Sequence, residues 1–112
     1  MTENETLAAH HFKLQLDGVM LEAVKGINHL SIDKNGGKVT IVRGVKTSTA
    51  FTEWVNRSLH DGIGAENLTI NEEDSAGRTV RRIQLMDARV TKWESGKPNE
   101  RVFVVAERGS IE

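Results

Sequence analysis

Residues 39–61, VTIVRGVKTSTAFTEWVNRSLHD, constrain the fold more than any other stretch, because their apolar spacing changes partway along. Val39 and Ile41 alternate with residues 38, 40 and 42, which are Lys, Thr and Val, and this is the two-residue period of a half-buried β-strand. After Arg43-Gly44, apolar residues recur at intervals of three and four, as they do on one face of a helix. We therefore predict a strand, a turn at Arg43-Gly44 and one helix over about residues 48–61.

The predicted helix carries a single apolar stripe. A hydroxyl of Thr47, Ser48 or Thr49 can cap its first turn. A helix of about four turns with one apolar face is expected to lie against a sheet. Its predicted packing face consists of Phe51, Trp54, Val55 and Leu59.

The rest of the chain is typical of short strands separated by turns. Asp17-Gly18 stands between two alternating runs, and this dipeptide favours a type I′ hairpin turn. Asn35-Gly36-Gly37 predicts a second hairpin, and Met86-Asp87 interrupts a later alternation, where we expect a bulge or bend. The predicted strands span residues 11–16, 19–24, 27–33, 39–42, 68–71, 79–85, 88–93 and 102–106.

These elements predict a mainly β (α+β) fold: a small barrel or sandwich of about seven or eight antiparallel strands with one flanking helix. The chain has 112 residues, which fits a single domain over 1–112, with residues 1–8 polar and flexible. Core positions are expected where apolar residues alternate or aromatic rings need burial. The predicted core residues are Phe12, Leu14, Leu16, Ile83, Leu85 and Trp93.

Composition excludes several classes of protein. Without cysteine there are no disulfides, thiolate nucleophiles or thiolate metal sites. No apolar run approaches the ~20 residues of a spanning helix, so we expect no membrane insertion. The N-terminus has two acids and no Lys or Arg, unlike a signal peptide. A formal net charge of -1 gives no global reason to expect nucleic-acid binding.

The residues indicate no catalytic chemistry. Adjacent His10 and His11 would point to opposite faces of a strand, and His29 and His60 have no partners at ligand spacing. Residues 72–74 form a short acidic run without the ligand spacing of a calcium loop. We predict no metal, no cofactor and no enzymatic activity.

Two surface features suggest contacts with partners. Arg78, Arg81 and Arg82 are candidate charged contacts, which with Arg89 and Lys92 leave open a small nucleic-acid-binding barrel as an alternative function. Several strands also carry more apolar residues than one core can use, which favours coverage by the helix or by another subunit.

Four stretches in order resemble the phage tail tube proteins, a group that includes the inner-tube proteins of contractile injection systems and is akin to the haemolysin-coregulated proteins. FKLQLDGVMLEAVKGI (12–27) is similar to the family's opening hairpin. TIVRGVKTSTAFTEWVNRSLHDG (40–62) is similar to its strand, Arg-Gly dipeptide and Trp-containing helix. LTINEEDSAGRTVRRIQLMDARVTKWES (68–95) resembles its turn-linked strand pair, and 101–107 its closing strand.

The resemblance implies a non-enzymatic subunit that forms hexameric rings, which stack into a hollow tube conducting DNA or effectors. It implies sheath, baseplate and tape-measure proteins as partners, and a place in a virion tail or injection particle assembled in the bacterial cytoplasm. The second hairpin is shorter than the family's, which leaves a ring-forming tube initiator, terminator or baseplate component as an alternative. The resemblance places inter-ring contacts at Leu30, Ile32, Asn35 and Lys38.

Overall fold

A computed structural model describes residues 11–44, 47–61, 66–96 and 99–112. These residues form seven strands and one helix that ends in a π-helical turn. The expectation of flexibility for residues 1–8 lies outside the described residues. The elements are β1 (His11–Leu16), β2 (Val19–Val24), β3 (Gly26–Asp33), β4 (Gly36–Val42), α1 (Thr49–Asn56), the π-helical turn (Arg57–Asp61), β5 (Glu66–Glu73), β6 (Thr79–Glu94) and β7 (Arg101–Ile111).

All seven strands belong to one antiparallel sheet, in the order β2-β1-β5-β6-β7-β4-β3. Its two edge strands, β2 and β3, follow one another in the chain with only Lys25 between them. The backbone N–H of Lys25 donates to the carbonyl of Val42 on β4, 2.9 Å away. Because only Lys25 separates the two edge strands, the sheet is strongly curved. The predicted mainly β fold with one flanking helix is confirmed.

The interior of the curled sheet holds the core. Alternate side chains from β1, β4, β5, β6 and β7 meet there, as the two-residue period of a strand requires. The fully enclosed aliphatic side chains include Leu14, Ile41, Ile70, Ile83, Leu85 and Val102. Of the predicted core residues, Leu16 is also buried, whereas Phe12 and Trp93 are partly buried and pack against the outside of this cluster.

Helix α1 contributes its apolar face to the same core. Phe51, Trp54 and Val55 are completely buried, and Leu59 in the π-helical turn is partly buried against them. The rings of Phe51 and Trp54 stack with their centroids 5.9 Å apart. The sequence predicted one continuous α-helix over about 48–61, but the α-helix ends at Asn56 and continues as a π turn to Asp61.

The predicted irregularity at Met86-Asp87 is a β-bulge within one long strand. Asp87 has a φ of 53°, and the pairing of β6 with β5 shifts by one residue between Glu66 and Leu68. The amide of Asp87 donates to Oδ1 of Asn67, 3.3 Å away. The two predicted strands 79–85 and 88–93 are therefore one strand, because the bulge bends the backbone without ending the pairing.

Candidate assembly surface

The two strands at the ends of the sheet leave free backbone edges. Within the part of the chain that the structure describes, β2 pairs only with β1 and β3 only with β4. Such edges present unpaired N–H and C=O groups to which another chain can add a strand. On β2, Val19 and Met20 are 66% and 50% exposed, so this edge is also apolar. The edge of β3 is interrupted by a bulge where His29 has a φ of 57°.

The β3–β4 hairpin is short and held tightly to the barrel. Its turn consists of Lys34 and Asn35, and the amide of Asn35 donates to Oδ1 of Asp33, 2.7 Å away. Gly36 follows with a φ of 133°, close to the carbonyl oxygen of Ala106. The hairpin therefore cannot extend far beyond the sheet.

The four residues that the resemblance placed at inter-ring contacts divide into two pairs. Asn35 and Lys38 are exposed on the hairpin. Leu30 and Ile32 are partly buried and pack against the core, and Ile32 lies beside Gly109 of β7. Only Asn35 and Lys38 present most of their surface to an outside partner.

The three candidate arginine contacts are paired within the chain. Nε of Arg81 lies 2.8 Å from Oε1 of Glu72, and Nε of Arg82 donates to Oδ1 of Asn71 at 3.1 Å. Arg78, with its side chain 80% exposed, contacts Asp74 at 3.2 Å. The carboxylates of Asp74 and Glu72 compensate the charges of Arg78 and Arg81, and the amide of Asn71 accepts a hydrogen bond from Arg82. These are the three arginines that the sequence had suggested as a basic surface.

Asp74 organises the turn between β5 and β6. Its Oδ1 accepts from the amides of Arg78 and Ala76, at 3.0 and 2.9 Å. The amide of Arg78, followed by that of Ala76 and the charge of the Arg78 guanidinium, outweighs desolvation and lowers the pKa of Asp74 below its ordinary 3.8. The carboxylate therefore keeps its charge to a lower pH than an ordinary aspartate does.

The joint between β4 and α1 contains a buried ion pair. Arg43 is 1% exposed and Glu22 of β2 is 7% exposed. Arg43 donates from Nε to Glu22 Oε2 at 3.0 Å and from Nη2 to Oε1 at 2.8 Å, which is a bidentate contact. Nη1 of Arg43 also lies 3.1 Å from Oε1 of Glu100, and its guanidinium lies 4.8 Å from the ring centre of Phe51.

The same carboxylate reaches the start of the helix. Glu22 Oε1 accepts from the amide and the hydroxyl of Ser48, at 2.7 and 2.9 Å. Ser48 is the N-cap of α1, and its Oγ accepts from the amide of Phe51 at 3.1 Å. One acidic side chain of an edge strand thus holds both the arginine of the turn and the cap of the helix.

Sequence reasoning did not assign this cluster, although it placed the end of the strand next to Arg43-Gly44, in agreement with the end of β4 at Val42. A signal was present, because Arg43 continues the inward-facing positions of Val39 and Ile41. Glu22 likewise shares a face with the buried Val24. A charged residue at a core-facing position needs a partner, and two such residues in separate strands indicate an ion pair.

The structure gives no indication of a metal site or of a membrane-spanning helix within the described ranges. No group of three or more His, Asp or Glu side chains is placed to hold a metal ion there. None of the described helical residues form a helix long and apolar enough to cross a membrane. Two buried polar atoms, Ser58 Oγ and Trp93 Nε1, have no hydrogen-bond partner among the described residues.

The fold is shared with components of contractile injection systems. A chain of the cryo-EM structure of the PVC sheath/tube terminator in the extended state matches with a TM-score of 0.67 and 14% identity, over 90% of this chain and 92% of that one. A chain of the PVC sheath-tube complex in the extended state matches with a TM-score of 0.65 and 14% identity, over 90% and 87%. A chain of the six-fold symmetrised anti-feeding prophage baseplate matches with a TM-score of 0.59 and 12% identity, over 93% and 92%.

The sequence-level comparisons add no relatives. No family model matches the chain, and no curated protein matches it. The structural neighbours are tube terminator, sheath-tube and baseplate structures, in agreement with the resemblance to tail tube proteins drawn from the sequence. At these low identities the agreement concerns the fold.

Proposed function

We propose that this protein is a structural subunit of a phage tail tube or of the inner tube of a contractile injection system. In this proposal the chain folds as one domain, forms hexameric rings, and the rings stack into a hollow conduit for DNA or effectors. The single observation that carries the proposal is the shared fold over nearly the whole chain with tube and baseplate components of injection particles. The proposal includes no catalytic role.

The free strand edges supply a physical route to ring formation. β2 and β3 lie at opposite ends of the sheet order and differ in sequence. A contact between two unlike surfaces is head-to-tail, and repeated copies of it close into a ring when the rotation allows. The exposed Val19 and Met20 would lose contact with water in such an assembly, which favours association.

A tube terminator, initiator or baseplate component is the second candidate. The observation that favours it is the two-residue turn of the β3–β4 hairpin, held against Ala106 of β7. Stacking of rings through this hairpin would use the exposed residues beside its two-residue turn, which are Ser31, Asp33, Lys34, Asn35 and Lys38. A ring with short inter-ring contacts is suited to the end of a tube.

The remaining partners follow from this assignment. Sheath, baseplate and tape-measure proteins would contact the rings, with DNA or effector only as passing cargo. The protein would work in a virion tail or injection particle, after assembly in the bacterial cytoplasm. A nucleic-acid-binding barrel is less favoured, because Arg78, Arg81 and Arg82 each have a partner within the chain.

Electron microscopy and light scattering of the purified full chain test the proposal. Rings with six-fold symmetry that stack into tubes at high concentration are the expected result. Rings that never stack would favour the terminator, initiator or baseplate role. A strict monomer at high concentration would contradict both roles, and salt-sensitive retention of DNA by that monomer would favour the nucleic-acid alternative.

A further inference from the structure

The carboxylate of Glu22 connects two parts of the molecule that would meet different neighbours. Glu22 belongs to β2, whose outer edge is free in the described structure. Its oxygens bind Arg43 and the N-cap Ser48, which belong to the turn and to the helix. On the far side of the same helix, Thr49, Ala50, Glu53 and Asn56 are exposed.

We infer that Glu22 is a positioning residue that couples β2 to the N-terminus of α1, so that the edge strand and the start of the helix open and close as one unit. The first amides of a helix have no intrahelical acceptors and depend on a cap. Here the hydroxyl of the cap residue Ser48 donates to Glu22 Oε1. The amide of Phe51 donates to this hydroxyl at 3.1 Å, and the amide of Thr52 donates to the carbonyl of Ser48 at 3.2 Å.

Separation of the two parts is unfavourable because Arg43 is buried. If β2 frayed from β1, Glu22 would leave, and the guanidinium of Arg43 would keep only Glu100 and the carbonyl of Ser48 as polar partners. A buried charge that loses its partner is costly, so Arg43 and Ser48 should move with β2. Edge strands otherwise have low local stability, since only one neighbour holds them.

This coupling has a consequence for assembly that rests on the proposed function. A neighbouring subunit that pairs with the β2 edge would suppress fraying of β2 and thereby order the start of α1. The exposed side of the helix would then become a better defined surface in rings than in free subunits. By linkage, a protein that binds and orders the helix would strengthen pairing at β2 by the same factor.

Native-state hydrogen exchange on the dilute, unassembled chain tests the coupling directly. The reporters are the amides of Ser48, Phe51 and Thr52 and those of β2 that pair with β1. In the wild type we expect the two groups to share one opening equilibrium, within about threefold. In Glu22→Gln the opening constants should separate by roughly tenfold or more, because the charge that holds Arg43 and Ser48 is lost.

Two further variants keep the test decisive. Glu66→Gln removes a carboxylate that contacts Arg57 at 3.4 Å near the other end of the helix. In this variant the amides of β2 and those at the helix start should still share one opening equilibrium. If Glu22→Gln does not fold, Ser48→Ala removes the hydroxyl that joins Glu22 to the amide of Phe51, while the amide of residue 48 can still donate to Glu22. This variant should separate the opening of β2 from that of the helix start partially. Wild-type groups that already open independently, or a Glu22→Gln variant that destabilises both equally, would overturn the inference.

The assembled protein provides a separate measurement. In rings, protection of Ser48 and Phe51 should rise together with protection of β2 in the wild type, and should not follow β2 in Glu22→Gln. If no rings form, the proposed function fails, while the exchange of the dilute chain still decides the coupling. If rings form and protect the amides of β2 while the helix amides do not respond, the coupling fails and the proposed function stands.

Discussion

Arg81 on β6 and Glu72 on β5 lie directly opposite each other in the sheet, with Arg81 Nε 2.8 Å from Glu72 Oε1. The pair joins β5 to β6, the strand that contains two of the three candidate arginine contacts. Its neighbours Arg82 and Asn71 form a second cross-strand contact at 3.1 Å. Arg81 and Arg82 therefore help to hold the two strands together, and the carboxylate of Glu72 compensates the charge of Arg81.

The first prediction concerns the energetic role of this pair. Arg81→Gln should lower the free energy of unfolding by about 0.2–1 kcal/mol, since the pair is only partly buried and remains screened by solvent. Urea denaturation measures the change. The matched control is Arg89→Gln, because Arg89 is exposed and forms no ion pair with the described residues. An equal or larger loss in the control would show that the cross-strand pair contributes nothing specific.

The second prediction concerns the β2 edge. Met20→Lys should change the free energy of unfolding by no more than about 0.5 kcal/mol, because Met20 is half exposed in the single chain. The same substitution should abolish association, since a lysine ammonium on the edge opposes pairing with a second strand. Light scattering and electron microscopy detect the loss of rings. Ser75→Lys, in the exposed β5–β6 turn, is the control that should leave association intact.

The strand pattern could be predicted from the sequence because each strand has one face in the core. The alternation of residues 11–16 and 79–85 predicted which side chains face inward. The hydroxyls of residues 47–49 predicted a cap at the helix start, and the structure identifies Ser48 as that cap. The change from strand to helix between Val42 and Thr49 was predicted because the apolar period changes after Arg43-Gly44. Each of these signals comes from residues that are close together in the chain, so a single sequence is enough to detect it.

The parts that could not be predicted depend on contacts between distant residues. Strand β7 continues past Ala106 to Ile111, although its residues Gly109, Ser110 and Ile111 show no clear alternation. The strand continues there because its backbone pairs with β6. Gly109 also fits between the side chains of Ile32 and Leu85. The partner of Arg43 depends on which strand passes beside it, and that follows from the sheet order. The π turn at Arg57–Asp61 likewise has no signal in the helical period.

The third prediction concerns the β3–β4 hairpin. Gly36→Ala should destabilise the protein by about 1–3 kcal/mol, because Gly36 has a φ of 133° and an added Cβ would lie 2.6 Å from the carbonyl oxygen of Ala106. Gly26→Ala is the control, since Gly26 has no positive φ and no atom within 4 Å of an added Cβ. Thermal unfolding should separate the two variants, and equal stability would contradict the close approach of the hairpin to β7.

The fourth prediction concerns pH. The folded pKa of Asp74 is lowered by the Arg78 amide above all, so its charge stabilises the folded chain at pH values above the ordinary 3.8. That contribution should be lost as pH falls through the lowered folded pKa. Asp74→Asn keeps an oxygen that can accept the amides but removes the charge, so it should be less stable than the wild type at neutral pH. The difference should vanish in acid, as measured by melting temperature against pH.

A control for the pH experiment is available in the same turn. Ser75→Ala changes an exposed neighbour without altering charge, so its difference from the wild type should not depend on pH. A difference between Asp74→Asn and the wild type that persists unchanged into acid would show that the amide contacts, and not the charge, determine the stability of the turn.

The fifth prediction separates the energetic cost of breaking the buried ion pair from its net value. Glu22→Gln should lower the free energy of unfolding by about 3–5 kcal/mol, because it leaves Arg43 charged and buried without its bidentate partner. Replacing both residues with apolar ones, as Glu22→Leu with Arg43→Met, should recover most of that loss. Glu100 would lose a partner in the double variant, but its side chain is 32% exposed and can be hydrated.

Urea denaturation of Glu22→Leu, of Arg43→Met and of the double variant gives the coupling energy between the two side chains. Recovery in the double variant would show that the pair is retained for position and not for stability, since an apolar pair of similar volume serves the core equally well. In that case hydrogen exchange at Ser48 should still be faster than in the wild type, because no carboxylate remains to accept its amide and hydroxyl. A double variant as unstable as Glu22→Gln would instead show that the ion pair itself stabilises the barrel.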